Sequence, residues 1–83
     1  MTEAKFTPGP WVVSGNATIN KKPKGWIASV SNTDRKANAH LIAAAPDLYE
    51  VLEEARVFLV HLNATGSLID QIDEALAKAR GED

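Results

Sequence analysis

A single proline divides the helical half of this sequence. Residues 38–45 read NAHLIAAA, a run of small and apolar residues that leads directly into Pro46 and a second helical pattern. Proline inside a helix removes a hydrogen bond and kinks the backbone, but the first turn of a helix tolerates it because an N–H has no partner there. The sequence therefore predicts two helices joined at Pro46 instead of one long helix.

The residues before this run predict strands. Aromatic and β-branched side chains favour extended backbone, and the glycine, asparagine and proline residues between them favour tight turns. We therefore expect a three-stranded antiparallel β-meander across residues 8–32. Its last strand has a period of two that places Trp26, Ala28 and Val30 on one face. The expected strands cover residues 11–13, 17–20 and 26–30.

Three helices are expected after the meander. The first begins at an N-cap on Thr33 or Asp34, the second runs from Pro46 to about residue 62, and the third ends at Gly81. Periodicity along the second helix predicts a broad apolar stripe that faces the core, consisting of Leu48, Val51, Leu52, Ala55, Phe58, Leu59 and Leu62. On the opposite side we expect a face that contacts a partner or another copy of the chain, consisting of Tyr49, Arg56, Val57 and Val60.

Together these elements predict an α+β protein, with a three-stranded antiparallel β-meander followed by a short helix, a proline-jointed longer helix and a C-terminal helix. Residues 1–83 are expected to form a single domain, with a loose N-terminal arm at 1–7 and a helical part at 33–81. A chain of this size buries only about 60–65% of its unfolded surface. Since it contains no cysteine that could reinforce a small core, we expect a homo-oligomer.

Few features of the sequence suggest catalysis. His40 and His61 lie on different predicted helices without the spacing of a metal site, and no nucleophile motif or nucleotide-binding glycine loop is present. We therefore expect no enzyme activity, no metal and no cofactor. No apolar run approaches the roughly 20 residues that span a bilayer, and the polar residues 1–5 do not resemble a signal peptide. A cytoplasmic protein without membrane contact is expected.

Charge is divided unevenly between the two halves of the chain. Residues 1–40 carry six lysines and arginines against two acidic residues, whereas residues 41–83 carry three against nine. The strand half could attract an anion that the helical half repels, although solvated surface charge is the simpler interpretation. A duplex-DNA binder usually presents a larger basic surface, so nucleic acid is not an expected partner. The lysine-rich turn at 21–24 leaves an accessory role in nucleic-acid binding as a third interpretation.

The two tryptophans are candidates for ligand binding or for the core. Trp11 and Trp26 lie on neighbouring or near-neighbouring predicted strands. Either could present a flat face to a base or to another aromatic ring. Tryptophans in a small domain more often form the core itself, so both interpretations stay open.

Three polar residues complete the candidate ligand site. Arg35 lies next to Lys36 at the start of the first helix, where side-chain charge and free backbone amides could together hold a phosphate. The carboxylate of Asp34 would oppose this if it pointed the same way. Lys24 is a second candidate for a phosphate contact. Asn38 shares a helical face with apolar residues and is expected to be partly buried, where its amide must be satisfied. It either tethers a neighbouring segment of backbone or meets the polar edge of a ligand.

Two motifs resemble a known family of proteins. The first is TPGPW at residues 7–11, and the second is NAHLIAAAPDL at residues 38–48, followed by an amphipathic helix. The pair is similar to a large family of small phage and prophage proteins, in which the motifs usually read TPGPW and NAxLIAAAPxLLxxL. The match covers about residues 7–62, and Tyr49 and His40 depart from the leucine and arginine that are usual in the family. The resemblance implies a phage origin.

Among small phage proteins, this strand-plus-helix build is similar to the oligomeric sponges that sequester nucleotide immune signals of bacterial defence. That similarity implies a non-catalytic protein that captures a small phosphorylated ligand, such as a cyclic nucleotide or an ADP-ribose derivative. Trp11 or Trp26 would then stack on the ligand. Arg35 and Lys24 would contact its phosphates, and Asn38 would bind a polar edge. The alternative is an adaptor or inhibitor that presents the face of the second helix to a host or phage protein.

Overall fold

The predicted elements form in the expected order. The structure, a computed structural model, describes residues 6–63 and 66–82. Its elements are β1 (Trp11–Ser14), β2 (Thr18–Lys21), β3 (Trp26–Ser29), α1 (Arg35–Ala43), α2 (Ala45–His61) and α3 (Ser67–Arg80). The antiparallel sheet, in the order β1-β2-β3 and followed by helices, confirms the predicted α+β fold. Most of the predicted arm, residues 1–5, lies outside the described residues.

The described residues form two compact units. One contains residues 8–48, and the other contains residues 6–7 with 49–82. Each has its own buried cluster, so the first is called the sheet unit and the second the helix unit. That residues 1–83 make a single domain stays a prediction.

The core of the sheet unit lies where α1 contacts β1 and β2. Ile19 and Ala39 are completely buried, and Ala17 is nearly so. The partly buried residues around them are Trp11, Val13, Ile27, Ala28, Val30, Ile42 and Ala43. Because the side chain of Ala39 is a single methyl group, α1 can lie close to the sheet without leaving a void.

A β-bulge changes the pattern of β3. Ile19 pairs with Ala28 and Asn20 pairs with Trp26, so Ile27 is an extra residue on β3. A bulge breaks the period of two and bends the strand that carries it. Trp26 is therefore 68% exposed, whereas Ala28 packs against the core. The prediction that Trp26 shares a face with Ala28 and Val30 is wrong for this reason.

Pro46 lies in the first turn of α2, one residue after this helix begins at Ala45. The preceding helix ends at Ala43, and Ala44 keeps a helical backbone between the two, with φ −82° and ψ −7°. The N–H of Leu48 donates to the carbonyl of Ala44 at 2.9 Å, which starts the new helix. Since proline has no N–H to donate, the helical hydrogen bonds are interrupted at Pro46, as predicted.

Pro46 is buried, and Gly9 packs against it. A Cβ atom on Gly9 would lie 3.1 Å from the Cβ of Pro46, which is tighter than ordinary van der Waals contact. Glycine is therefore the residue that fits here without a shift of the proline ring. The two sequence motifs, around Gly9 and around Pro46, meet at this contact within the sheet unit.

The helix unit is built around Tyr49 on α2 and around Ile72 and Leu76 on α3, all of which are buried. The ring of Phe6 meets the ring of Tyr49 edge-on, with centroids 4.9 Å apart. The hydroxyl of Tyr49 accepts a hydrogen bond from Nη1 of Arg80 at 3.2 Å. Leu52 and Leu59 pack against the same cluster. The helix unit therefore has a small core with one aromatic pair.

Two polar contacts also stabilise the helix unit. Arg56 on α2 forms an ion pair with Asp73 on α3. At the end of α3, Gly81 adopts a left-handed conformation with φ 79°, and its N–H donates to the carbonyl of Lys78 at 3.1 Å. This left-handed cap confirms that Gly81 ends the last helix.

The structure changes the predicted faces of α2. Tyr49, expected on the partner-facing side, is 7% exposed and lies in the core. Four members of the predicted core stripe are instead 55–64% exposed, namely Leu48, Val51, Phe58 and Leu62. Apolar residues occupy so much of the circumference of α2 that periodicity identifies the apolar band but not the part of it that meets α3.

Ile19→Ala should lower the free energy of unfolding by about 2–5 kcal/mol, because it removes a completely buried side chain and leaves a cavity. Leu41→Ala is the control, since Leu41 is 64% exposed and its truncation should change the free energy by less than about 0.5 kcal/mol. Urea denaturation followed by circular dichroism measures both variants. Equal losses in the two variants would contradict the position of the sheet-unit core.

Arg56 lowers the pKa of the Asp73 carboxyl, chiefly through a side-chain hydrogen bond. A carboxyl with a lowered pKa in the folded chain stabilises the fold above its unfolded pKa of about 3.9, and this stabilisation is lost as the pH falls through the folded pKa. Asp73→Asn should therefore be less stable than the wild type at pH 7 and should lose less stability below about pH 5. Arg56→Gln should reduce the loss of stability at low pH in the same way. Thermal unfolding between pH 7 and pH 3 tests this prediction. It would be disproved if the unfolding temperature of both variants fell with pH as steeply as that of the wild type.

Candidate functional site

Two adjoining open pockets lie beside the start of α1 in the sheet unit. The first has a volume of about 260 Å³ and is lined by Asn16, Ala17, Thr18, Ser29, Val30 and Arg35. The second has a volume of about 390 Å³ and is lined by Asn16, Thr33, Asp34, Arg35, Lys36 and Ala37. Because Asn16 and Arg35 line both, the two pockets form one candidate site, which we call the α1 site.

The β1–β2 turn and the end of β3 shape the first pocket. Gly15 takes a φ of +62°, which glycine adopts without strain, and the following residue, Asn16, reaches the pocket. The N–H of Val30 donates to the carbonyl of Ala17 at 3.0 Å, which continues the β2–β3 pairing beyond both strands. The polar side chains at this end of the sheet are thereby held around one opening.

The start of α1 supplies the charged lining of the second pocket. Asp34 is the N-cap residue, one of the two predicted positions, and its side chain makes no capping hydrogen bond. The N–H of Arg35 donates to the carbonyl of Asn32 at 3.2 Å, and the N–H of Asn38 donates to the carbonyl of Asp34 at 3.0 Å. Arg35 and Lys36 are both exposed, so two cations and one carboxylate border the pocket.

The groups that line the α1 site favour an anion with polar substituents. Arg35 offers five N–H donors in a planar fork, and Lys36 adds a compact positive charge. The Asn16 amide and the hydroxyls of the first pocket can donate or accept hydrogen bonds. The carboxylate of Asp34 offsets part of the positive charge, so the site suits an anionic ligand that also carries neutral polar groups.

Two more predicted residues lie next to this lining. The indole Nε1 of Trp26 donates to Oγ of Ser29 at 3.3 Å, and Ser29 lines the first pocket. The exposed indole therefore belongs to the surface instead of the core. The side-chain amide of Asn38 donates to Oδ1 of Asn32 at 3.2 Å. Asn38 thus ties α1 to the preceding loop through a side chain, whereas the expected partner was either a segment of backbone or a ligand.

Trp11 and Lys24 lie at the other end of the sheet. Trp11 pairs with Lys21 and packs against the core of the sheet unit. Lys24 is exposed in the turn between β2 and β3. A four-residue strand extends about 13 Å, so neither residue belongs to the neighbourhood of Arg35. Of the five predicted ligand residues, Arg35 lines the α1 site, Trp26 and Asn38 are bonded to residues beside it, and Trp11 and Lys24 are separate.

Sequence reasoning did not identify Asn16, Thr18 and Ser29 as members of a site. The antiparallel pairing of Thr18 with Ser29 is what brings these distant positions together. The turn residues at 14–16 predict that the chain reverses direction there. They do not reveal which residue of β3 the turn faces, because that depends on the register and on the bulge.

The predicted partner face of α2 is only partly accessible. Val57 and Val60 are each 47% exposed. Arg56 is engaged by Asp73, and Tyr49 belongs to the core of the helix unit. Tyr49 therefore stabilises the packing of α2 on α3, which corrects its expected place on an outer surface.

His40 and His61 are both exposed and lie on different helices. Within residues 6–63 and 66–82, no three His, Cys, Asp or Glu side chains are grouped so that they could hold a metal ion. In the same part of the chain, no helix has both the length and the apolar character required to cross a membrane.

The fold and the α1 site define a small α+β protein with an open, polar and cation-lined pocket at the start of a helix. The family model of the Salmonella phage P22 protein Y8K6 matches residues 1–83, so the chain belongs to this family. This match confirms the expectation of a small phage protein family. No curated protein and no solved structure matches the chain.

The hydrogen bond between Asn38 and Asn32 can be tested by a double-mutant cycle. Asn38→Ala and Asn32→Ala should each lower the free energy of unfolding by about 0.5–1.5 kcal/mol, because each removes the same hydrogen bond. The double variant should therefore lose less than the sum of the single losses. Urea denaturation measures the three variants, and strictly additive losses would show that Asn38 does not act through Asn32.

Proposed function

We propose that this member of the phage family is a non-catalytic binding protein that sequesters a small phosphorylated ligand inside the infected bacterium. The ligand class is a nucleotide-type immune signal, such as a cyclic nucleotide or an ADP-ribose derivative, whose removal would protect the phage. The observation that carries the proposal is that Arg35 lines both pockets of the α1 site. A phosphate held by Arg35 would leave space on either side for the rest of the ligand.

A phosphate is the group that this lining is best suited to bind. The guanidinium of Arg35 can hold two phosphate oxygens at once, and Lys36 adds a second positive charge nearby. The hydroxyls of Thr18 and Ser29 offer neutral partners for ribose or for the edge of a base. The two adjoining volumes, about 260 and 390 Å³, are large enough for the parts of a nucleotide.

Trp26 is suited to stack on a base. Its indole donates a hydrogen bond to Ser29, which lines the first pocket, and its exposure leaves ring surface accessible. Stacking of a base on an aromatic ring contributes about 1–3 kcal/mol and requires no particular base. The proposed site therefore uses Trp26 in place of Trp11, and Asn38 supports it indirectly through its bond to Asn32.

The proposed role is capture without turnover. The hydroxyl oxygen of Ser29 accepts a hydrogen bond from the indole of Trp26, and an indole N–H is a donor that cannot act as a general base. A serine becomes a nucleophile when a neighbouring base removes its proton. The arrangement at Ser29 therefore favours binding over covalent chemistry.

Isothermal titration of the full chain against cyclic nucleotides and ADP-ribose derivatives tests the proposal. Arg35→Ala should weaken binding by about 10-fold to 100-fold, because hydrogen bonds to a charged group contribute about 1.5–3 kcal/mol. Lys24→Ala is the matched control, since Lys24 is an exposed cation that lines neither pocket, and its loss should change the affinity less than twofold. The ligand should be recovered chemically unchanged from the complex.

Three results would overturn the proposed function. One is the absence of binding across the panel at millimolar ligand. A second is equal loss of affinity in Arg35→Ala and Lys24→Ala, which would indicate charge attraction without a site. A third is turnover of the ligand.

The second candidate is an adaptor that uses α2 to bind a host or phage protein. The observation that favours it is the exposure of Val57 and Val60 on one side of α2. Affinity capture from infected cells should then recover one defined protein with the wild type and lose it with Val57→Glu. Recovery that is unaffected by this substitution would exclude the face as an adaptor surface.

A further inference from the structure

We propose that two copies of this chain pair antiparallel through an apolar stripe formed by Val51, Ala55 and Phe58 on α2 and by Leu62, which follows the last residue of α2 and whose N–H donates to the carbonyl of Phe58 at 3.1 Å. Val51, Phe58 and Leu62 are 62%, 64% and 61% exposed, and Ala55 between them is partly buried. All four residues belong to the helix unit. This stripe differs from the partner face predicted from the sequence, which lies elsewhere on the helix.

The spacing of the stripe is that of a helix-pairing seam. Its members follow one another at intervals of four, three and four residues, which are the alternating positions of a heptad. Residues at these intervals lie along one side of an α-helix. A different set on α2, including Tyr49 and Leu59, packs in the core with α3. The stripe is therefore a second apolar surface on a helix whose first apolar surface is already used.

The small core of the helix unit favours a second copy as the occupant. Among the described residues, its buried cluster is formed by Tyr49, Ile72 and Leu76, on two helices. Two helices present little surface to each other, whereas two such pairs together form the common four-helix arrangement. The chain has no cysteine that could stabilise the pair by a disulfide. Pairing through α2 would bury the exposed stripe and enlarge the apolar core without any other protein.

Side-chain size favours the antiparallel orientation. With the two-fold axis between residues 56 and 57, Phe58 of one copy meets Ala55 of the other, and Val51 meets Leu62. Each layer then combines a larger with a smaller side chain, which fills space evenly. A parallel pair would instead place Phe58 against Phe58 of the second copy and Ala55 against Ala55, with crowding in one layer and a gap in the next.

Hydrogen-bonding side chains at the border of the stripe favour the same register. Glu54 and His61 lie on the same edge of the stripe, one position before Ala55 and Leu62. In the antiparallel register, Glu54 of each copy faces His61 of the other. The carboxylate of Glu54 can accept a hydrogen bond from the imidazole N–H of His61, and the two-fold axis repeats this pair. In a parallel pair, Glu54 would lie beside Leu59 of the second copy. The surface is therefore complementary to itself, as an interface between identical chains must be.

Sedimentation equilibrium of the full chain tests the pairing. The wild type should be a dimer, and Phe58→Glu should raise the dissociation constant by about a hundredfold or more, because an unpaired carboxylate would be buried at the seam. Val57→Glu is the matched control, since it introduces the same charge at the adjacent exposed position outside the stripe and should leave the dimer intact. A monomeric wild type, or a dimer broken by Val57→Glu and not by Phe58→Glu, would overturn the proposal. Should Phe58→Glu lose its helical circular dichroism, Leu62→Glu decides in the same way.

Distances between spin labels test the orientation. The chain contains no cysteine, so Glu50→Cys and Val57→Cys each provide a single labelling site, seven residues apart on the same side of α2. In the antiparallel dimer the labels at 57 are offset by about 2 Å along the helix axis and those at 50 by about 20 Å. Equal distances at the two positions would indicate a parallel pair and overturn the register. Pairing does not depend on ligand capture, since its residues are separate from the α1 site, so either proposal can fail without the other.

Discussion

The packing of α1 on the sheet through Ala39 and Ile19 is the contact on which the sheet unit depends. Both side chains are completely buried, and a methyl group on the helix side allows a close approach. This approach also fixes the two ends of α1. One end, at Arg35, lies beside the β1–β2 turn, and the other leads through Ala44 to Pro46, which packs against Gly9. The same helix therefore joins the two sequence motifs and lines the candidate site.

The proposed binding role of the α1 site belongs to a helix that also folds the sheet unit. Its packed side carries Ala39, Ile42 and Ala43, whereas its first turn carries Arg35 and Lys36 in solvent. The residues that fold α1 and those proposed to bind the ligand are thus different, although they share one element. A substitution at the first turn should therefore leave the core of the sheet unit undisturbed. This separation is typical of binding sites placed on a rigid scaffold.

On α2, two apolar faces lie side by side and only one of them meets α3. The side with Tyr49 and Leu59 is packed in the helix unit, and the ion pair between Arg56 and Asp73 closes its polar border. The side with Val51 and Phe58 is open to solvent. A monomer this small has few elements with which to cover a second face, since the ratio of surface to volume is high. Large exposed apolar surfaces mark interaction sites more often than single exposed side chains do, and the proposed pairing rests on this difference.

The amino-acid sequence by itself determined the types of the elements, the helix joint at Pro46, the start of the first helix at Thr33 or Asp34 and the end of the last helix at Gly81. These features depend on the backbone preferences of a few consecutive residues, which are local properties. The tertiary structure decided the rest. The bulge at Ile27 exposed Trp26, and the strand register gathered Asn16, Ser29 and Arg35 around one pocket. The position of α3 decided which apolar side of α2 is buried, because a broad apolar band contains no local information about the neighbour that will cover it.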